Sequence, residues 1–287
     1  MTRIDAWPAV ALAPGEAARA VLRRHNVRLS GAGSTTLLFC NGFNCAQHVW
    51  HQLAPGLAAD YQLVFFDQMG VGESDRRCVG DPRYLTLNGF VQDVIDIGRA
   101  LALRNVVLVG HSAGALIAML AAIAAPELFA KTVLLAASPR YLNAPGYYGG
   151  FEEPELRNML RELDANYQAW ANTFATMMIS QAHAPALSHE LLEYAGQTDP
   201  RMARRMVEFV FLGDYRSYLP QLHQPTLLIQ CVDDPAAPEE VSVYLLRQLP
   251  RTALLLLPGA GHCPHLTAPG QVLAAIQQLL KMPAAGN

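Results

Sequence analysis

Ser112 stands two residues from a glycine on either side, in Gly110-His-Ser-Ala-Gly114, where the apolar run Val106-Val-Leu-Val109 breaks and a small-residue helical pattern begins. A serine held at a sharp turn from strand to helix has its hydroxyl exposed as a nucleophile. Glycines on both sides let that turn close and let the helix pack against its neighbours. The hydroxyl alone is weak. It needs a base to take its proton and a further group to orient the base. Asp233-Asp-Pro-Ala-Ala-Pro238 carries two candidate acids, and Gly259-Ala-Gly-His-Cys-Pro-His265 carries the candidate base, His262. His111, beside the nucleophile, is turned away by the geometry of the elbow and reads as structural. His262 and His265 could suggest an H-x-x-H pair, but no helix or third ligand accompanies them, so no metal is expected.

For three residues so far apart to meet, their loops must leave one edge of one sheet. Buried apolar runs at 36–41, 63–67, 106–109, 131–136, 226–231 and 253–257 read as strands, and 27–33 as a strand and turn. Helical patterns fall at about 87–103, 112–125 and 239–249, with a last one ending at Leu280. This alternation predicts an α/β fold, a mostly parallel sheet covered by helices on both faces. Such a sheet gathers its carboxyl ends, and the loops that leave them, along one edge. On the 87–103 helix, Asp93 and Asp96 fall on the wetter side and are expected to be solvated.

Residues 138–223 differ in kind. Pro154 opens a long helical pattern in which Leu156, Met159, Leu160, Leu163, Tyr167, Trp170, Phe174, Met177 and Met178 recur at three- and four-residue spacing. Asp199-Pro200 starts another, as an N-cap followed by proline at the first helical position. An insert between two strands of a parallel sheet emerges on the side where ligands bind, so 138–223 is expected to be a lid. Residues 21–137 and 224–287 would form the core, and 1–20 an N-terminal tail. Tyr147, Trp170, Phe174, Phe209 and Phe211 are the candidate substrate-binding residues of the lid.

Composition narrows the partners. Just over half of the 287 residues are hydrophobic and the net charge is −3 with signs mixed along the chain, which fits neither nucleic acid nor an anionic membrane surface. The apolar stretch between Pro8 and Pro14 is too short for a signal or a membrane span. Cys40, Cys45, Cys78, Cys231 and Cys263 form no framework and are odd in number, which favours reduced thiols in the cytoplasm. The loop Gln68-Met-Gly-Val-Gly-Glu-Ser-Asp75 lacks the third glycine of a dinucleotide fingerprint, so no nucleotide cofactor is expected.

Together these motifs resemble the α/β-hydrolase superfamily. Asp67 to Ser74, Asp234 with Pro238 four residues on, and Gly261-His262 carry the resemblance beside the serine motif. Pro139 to Glu153, Cys231-Val-Asp-Asp234 and Gly261-His-Cys-Pro-His265 are similar more narrowly to the RsbQ-like bacterial stress-response regulators and the related plant strigolactone and karrikin receptors. The resemblance implies a four-helix lid over an apolar pocket and Asp234 rather than Asp233 as the acid. It also implies an oxyanion hole from the backbone N–H groups of Phe43 and Ala113. The implied activity is a cofactor-free serine hydrolase cleaving a small, largely apolar ester or lactone, with signalling through a protein partner as a companion role. Alternatives on the same scaffold are a ligand sensor with slow or vestigial hydrolysis, or an oxygenase, haloperoxidase or carbon–carbon hydrolase. Where relatives often write His-Gly-Phe-Gly, this chain has Asn41-Gly-Phe-Asn44, which adds a polar group near the pocket mouth.

Overall fold

The computed structural model describes residues 15–179, 187, 190–193 and 196–281. Its strands are β1 (Arg28–Ser30), β2 (Thr36–Cys40), β3 (Gln62–Phe65), β4 (Val106–His111), β5 (Phe129–Leu135), β6 (Thr226–Cys231) and β7 (Thr252–Leu257). They form one sheet in the order β1-β3-β2-β4-β5-β6-β7. Only β1 is antiparallel, to β3; every other pairing is parallel. The fold is that of an α/β hydrolase, with a mostly parallel sheet flanked by helices.

The helices are α1 (Glu16–Arg24), α2 (Ala54–Ala58), α3 (Asn88–Ala100), α4 (Ala113–Ala124), α5 (Glu153–Ala165), α6 (Tyr167–Met177) and α7 (Pro200–Leu212). After them come α8 (Glu239–Gln248), α9 (Pro264–Thr267) and α10 (Pro269–Lys281). Side chains alternate across a strand, so each face of the sheet builds its own core. Leu38, Val64, Leu108 and Leu134 pack with α3 and α4 on one face. Leu37, Phe39, Leu63 and Val107 pack with α2 and α10 on the other. Strands β2, β4 and β6 are buried throughout, which explains their unbroken apolar runs.

Three sequence expectations need correction. Residues 16–20, assigned to the tail, begin α1, which packs on α3; Glu16 in its first turn and Arg23 and Arg24 in its last complement the helix dipole. Residues 1–14 lie outside the described residues. The long helical pattern from Pro154 to Met178 is two helices, α5 and α6, broken at Asn166. There φ is −157°, and the side chain caps α6 by accepting the Ala169 N–H at 3.1 Å. Asp93 is not solvated but 2 % exposed, and its carboxylate accepts the Tyr84 hydroxyl at 3.0 Å and faces Arg83 at 3.2 Å and His25 at 3.4 Å.

Helices α5, α6 and α7 lie between β5 and β6, and residues 187 and 190–193 are also helical. The expected fourth lid helix falls partly outside the described residues. Among those described, no helix is long and apolar enough to cross a membrane.

Candidate active site

The turn from β4 to α4 is strained at one residue. Ser112 has φ 52° and ψ −118°, a left-handed backbone that a non-glycine residue adopts only when its surroundings enforce it. Its N–H donates to Leu135 on β5 at 2.9 Å. Steric room for the elbow comes from the glycines. A Cβ on Gly114 would stand 2.2 Å from the Cys40 carbonyl oxygen, and one on Gly110 would stand 2.5 Å from that of Gly114. The strand end and the first turn of α4 therefore touch backbone to backbone.

Loops after β6 and β7 bring the other two groups to Ser112. His262 Nε2 lies 2.8 Å from Ser112 Oγ, and Nδ1 lies 2.8 and 2.9 Å from the two Asp234 oxygens. The carboxylate accepts from Nδ1–H, which leaves Nε2 free to accept from the serine hydroxyl. Asp234 Oδ1 also accepts the N–H groups of Ala236 and Ala237, at 2.8 and 3.0 Å, which fixes the carboxylate. Asp233 serves the neighbouring loop instead, accepting Ala260 N–H at 3.1 Å and Gly261 N–H at 3.3 Å. Such a hydrogen-bonded chain can take a proton from a serine as it attacks a carbonyl and return it to a leaving group.

His262 is held through its backbone as well. Its N–H donates to the Met178 carbonyl at the end of α6, at 3.1 Å. Its own carbonyl accepts from His111 Nε2 at 2.8 Å. Burial pushes His111 well below the ordinary histidine range, so the ring is neutral with its hydrogen on Nε2. His265 is also fully buried, its ring 4.4 Å from that of His111 and 4.8 Å from Trp50, and burial brings it down to about 3. Gly42 permits this packing, because a Cβ there would sit 2.4 Å from His111 Nδ1.

Ser112 opens into a small, partly enclosed cavity. Its wall is mostly apolar and includes Phe43, Phe174, Met178, Val210 and Phe211, together with Asn44. Of the five candidate substrate-binding residues, Phe174 and Phe211 line this cavity. Trp170 does not reach the cavity; it backs the wall, stacked on Phe174 with centroids 5.0 Å apart and edge-on to Phe43 at 5.8 Å. Phe209 lies two residues before Phe211 and so on the opposite side of α7, where its carbonyl accepts the Tyr215 hydroxyl. Tyr147 is turned away, its hydroxyl donating to the Arg140 carbonyl at 2.6 Å and its ring against Tyr244. Helical spacing shows which residues share a stripe; it does not fix how the helix is rotated toward the core.

Of the two expected oxyanion-hole donors, Phe43 lines the cavity with Ser112, and Ala113 is the first residue of α4, whose N–H has no partner within its own helix. Two more residues steady the site: Asn41, which the sequence marks only as a departure from its relatives, and Tyr141, which sequence reasoning did not single out. Asn41 is fully buried and ties three segments together, donating to the Phe66 carbonyl and accepting from Trp50 Nε1 through its side chain, while its backbone carbonyl accepts from Gln68. Tyr141 is buried beside Ser112; burial lifts its phenol far above the usual range and the serine side chain offsets part of the rise. Nothing in the local spacing marks either, because both depend on contacts between distant segments.

Residues 37–276 match the alpha/beta hydrolase family. The chain belongs to that family. This α/β hydrolase is 36 % identical over 253 residues to the karrikin insensitive 2 receptor CA of Petunia hybrida, covering 88 % of its own chain and 94 % of the relative. It is 34 % identical to a strigolactone esterase of Arabidopsis thaliana, covering 91 % and 97 % of the two chains. Among solved structures, a hydrolase from Oleispira antarctica superposes with a TM-score of 0.90 at 31 % identity, over 96 % of this hydrolase and 100 % of the other.

Proposed function

We propose that this α/β hydrolase is a serine hydrolase that cleaves a small, largely apolar ester or lactone. The observation that carries the reading is the chain from Ser112 through His262 to Asp234, with every link at 2.8 to 2.9 Å, opening into an apolar cavity. Ser112 attacks the carbonyl and His262 takes its proton. The tetrahedral oxyanion is met by the N–H groups of Phe43 and Ala113. His262 then protonates the departing alcohol, and water, activated by the same imidazole, releases the acyl group from the serine. Asp234 keeps Nδ1 protonated and stabilises the imidazolium. No cofactor takes part in these steps. Five free cysteines support a reducing compartment, the cytoplasm.

Hydrolysis of a 4-nitrophenyl ester of a short acid tests the reading. Ser112→Ala is expected to lower kcat by at least about 10³-fold while the melting temperature stays within a few degrees. Equal turnover by the variant would overturn it. A second reading, a ligand sensor whose insert signals to a protein partner, is favoured by the bond between Met178 on that insert and the His262 backbone. Cross-linking of the insert to a partner only when ligand is present would support it, and identical cross-links with and without ligand would count against it.

A further inference from the structure

Asn44 is a polar residue in the cavity wall that the proposed reaction does not use. It is 6 % exposed, and neither Nδ2 nor Oδ1 has a hydrogen-bond partner among the described residues. Its backbone is left-handed, with φ 58°, a conformation that asparagine tolerates and glycine meets freely. Conformation therefore does not account for the amide. Glycine would satisfy the turn and bury nothing polar, whereas an enclosed amide without partners is destabilising.

The amide borders two spaces. One is the cavity above Ser112; the other is a small side pocket, with room for a single small polar group, whose wall includes Met69, Met202, Met206 and Thr198. Thr198 is buried too, and its Oγ1 likewise has no hydrogen-bond partner among the described residues. The Tyr167 phenol leans toward both side chains without closing a well-formed hydrogen bond to either of them; burial raises it to about 12, and its polar contacts with Thr198 and Asn44 hold back part of that rise. Phe43 and Asn44 line both spaces, which adjoin along them, and Thr198, from the loop before α7, stands on the smaller space's side of that join. No charged side chain among the described residues lines either space, so an ionised group placed there would lose its water without gaining a counter-charge. An uncharged oxygen suits the join. A hydroxyl satisfies the amide as donor and acceptor at once, and a ketone or ring ether satisfies Nδ2 and the threonine hydroxyl.

We infer that the join is a polar subsite in which Asn44 and Thr198 bind an uncharged oxygen carried by the substrate away from its scissile carbonyl. This rests on the serine-hydrolase reading and narrows it. The substrate is apolar through its middle and has a second oxygen function, a hydroxyl, ketone or ether.

Two pairs of esters matched in size test the subsite. In 4-nitrophenyl 4-oxopentanoate against 4-nitrophenyl pentanoate the added oxygen is on the acyl side; in 4-hydroxyphenyl acetate against 4-methylphenyl acetate it is on the alcohol side. Affinities are read by NMR titration in Ser112→Ala protein, and kcat/KM in protein that keeps Ser112. At least one pair is expected to favour its oxygen-bearing member by about tenfold or more, with Asn44→Gly and Thr198→Val each bringing the ratio toward one. Ratios near one in both pairs, or a preference that survives both substitutions, would overturn the inference. A preserved affinity ratio without turnover would count against the serine-hydrolase reading and leave the subsite standing. Asn44→Gly suits the local φ, and Thr198→Val gives an independent measurement should that variant fold poorly.

Discussion

Asp233 and Asp234 are adjacent in the chain and hold different parts of the same loop, one the backbone at Ala260 and Gly261, the other the imidazole of His262. Their substitutions should separate accordingly. Asp234→Asn removes the anion that fixes the tautomer, and kcat/KM for an aryl ester is expected to fall by about 10³ to 10⁴-fold. Asp233→Ala should cost about 1 kcal/mol in urea denaturation and a smaller share of the rate, since two backbone N–H groups lose their acceptor. Asp93 shows what residue type alone does not reveal. Its position on α3 suggests a wet face, yet α1 with the His25 that ends it and the turn carrying Tyr84 cover it, and burial together with the Asp93 charge keeps the Tyr84 phenol protonated. Asp93→Asn leaves the Arg83 charge partly buried without its inner partner. A stability loss of about 2–3 kcal/mol in urea is expected, with turnover per folded molecule unchanged. Ser112, Asp234 and His262 come together because each follows a strand and a parallel sheet delivers strand exits to one edge; the strand exits were legible in the sequence, while the choice between Asp233 and Asp234 rested on the family resemblance.

Among the elements, α4 and the α5–α6 pair show opposite relations between pattern and structure. The apolar, alanine-rich pattern of α4 translates directly into a helix buried against β2 and β5. Gly114→Ala would drive a Cβ into the Cys40 and Asn41 carbonyls, two immobile backbone groups. Loss of soluble, folded protein is the expected outcome, checked by expression yield and circular dichroism. Along α5 and α6 the apolar spacing continues through Asn166 as if the helix did not stop. The break is written in the capping chemistry: the Asn166 side chain satisfies the Ala169 N–H, and its extended backbone redirects the chain. Asn166→Ala should lower stability by about 1 kcal/mol, measured by urea denaturation. Periodicity reports burial, and a break that preserves burial on both sides leaves it undisturbed. On α7 two neighbouring phenylalanines part: Phe211 meets the cavity, and Phe209, two residues away, lies on the other side of the helix.

On the scale of the whole molecule, the buried histidines tie stability to pH. His111 and His265 are held below the ordinary value of 6.5, His265 to about 3, and burial is the leading cause for both. In the unfolded chain they regain that ordinary value, so below about pH 6.5 the unfolded state binds more protons. Their contribution is complete above that pH and is lost as pH falls toward the folded values, at up to about 1.4 kcal/mol per pH unit for each ring. Urea midpoints measured between pH 7 and 5 should fall accordingly, and His265→Leu should flatten the fall, since neither nitrogen of that ring has a hydrogen-bond partner to lose among the described residues. The mostly parallel sheet with a core on each face followed from the sequence through alternation and burial. The join between insert and core did not, because it is made of backbone groups that any residue could supply. One of these joins is the bond from His262 N–H to the Met178 carbonyl. It couples two parts of the molecule directly: any displacement of the end of α6 would pull on the backbone of the residue whose imidazole faces Ser112.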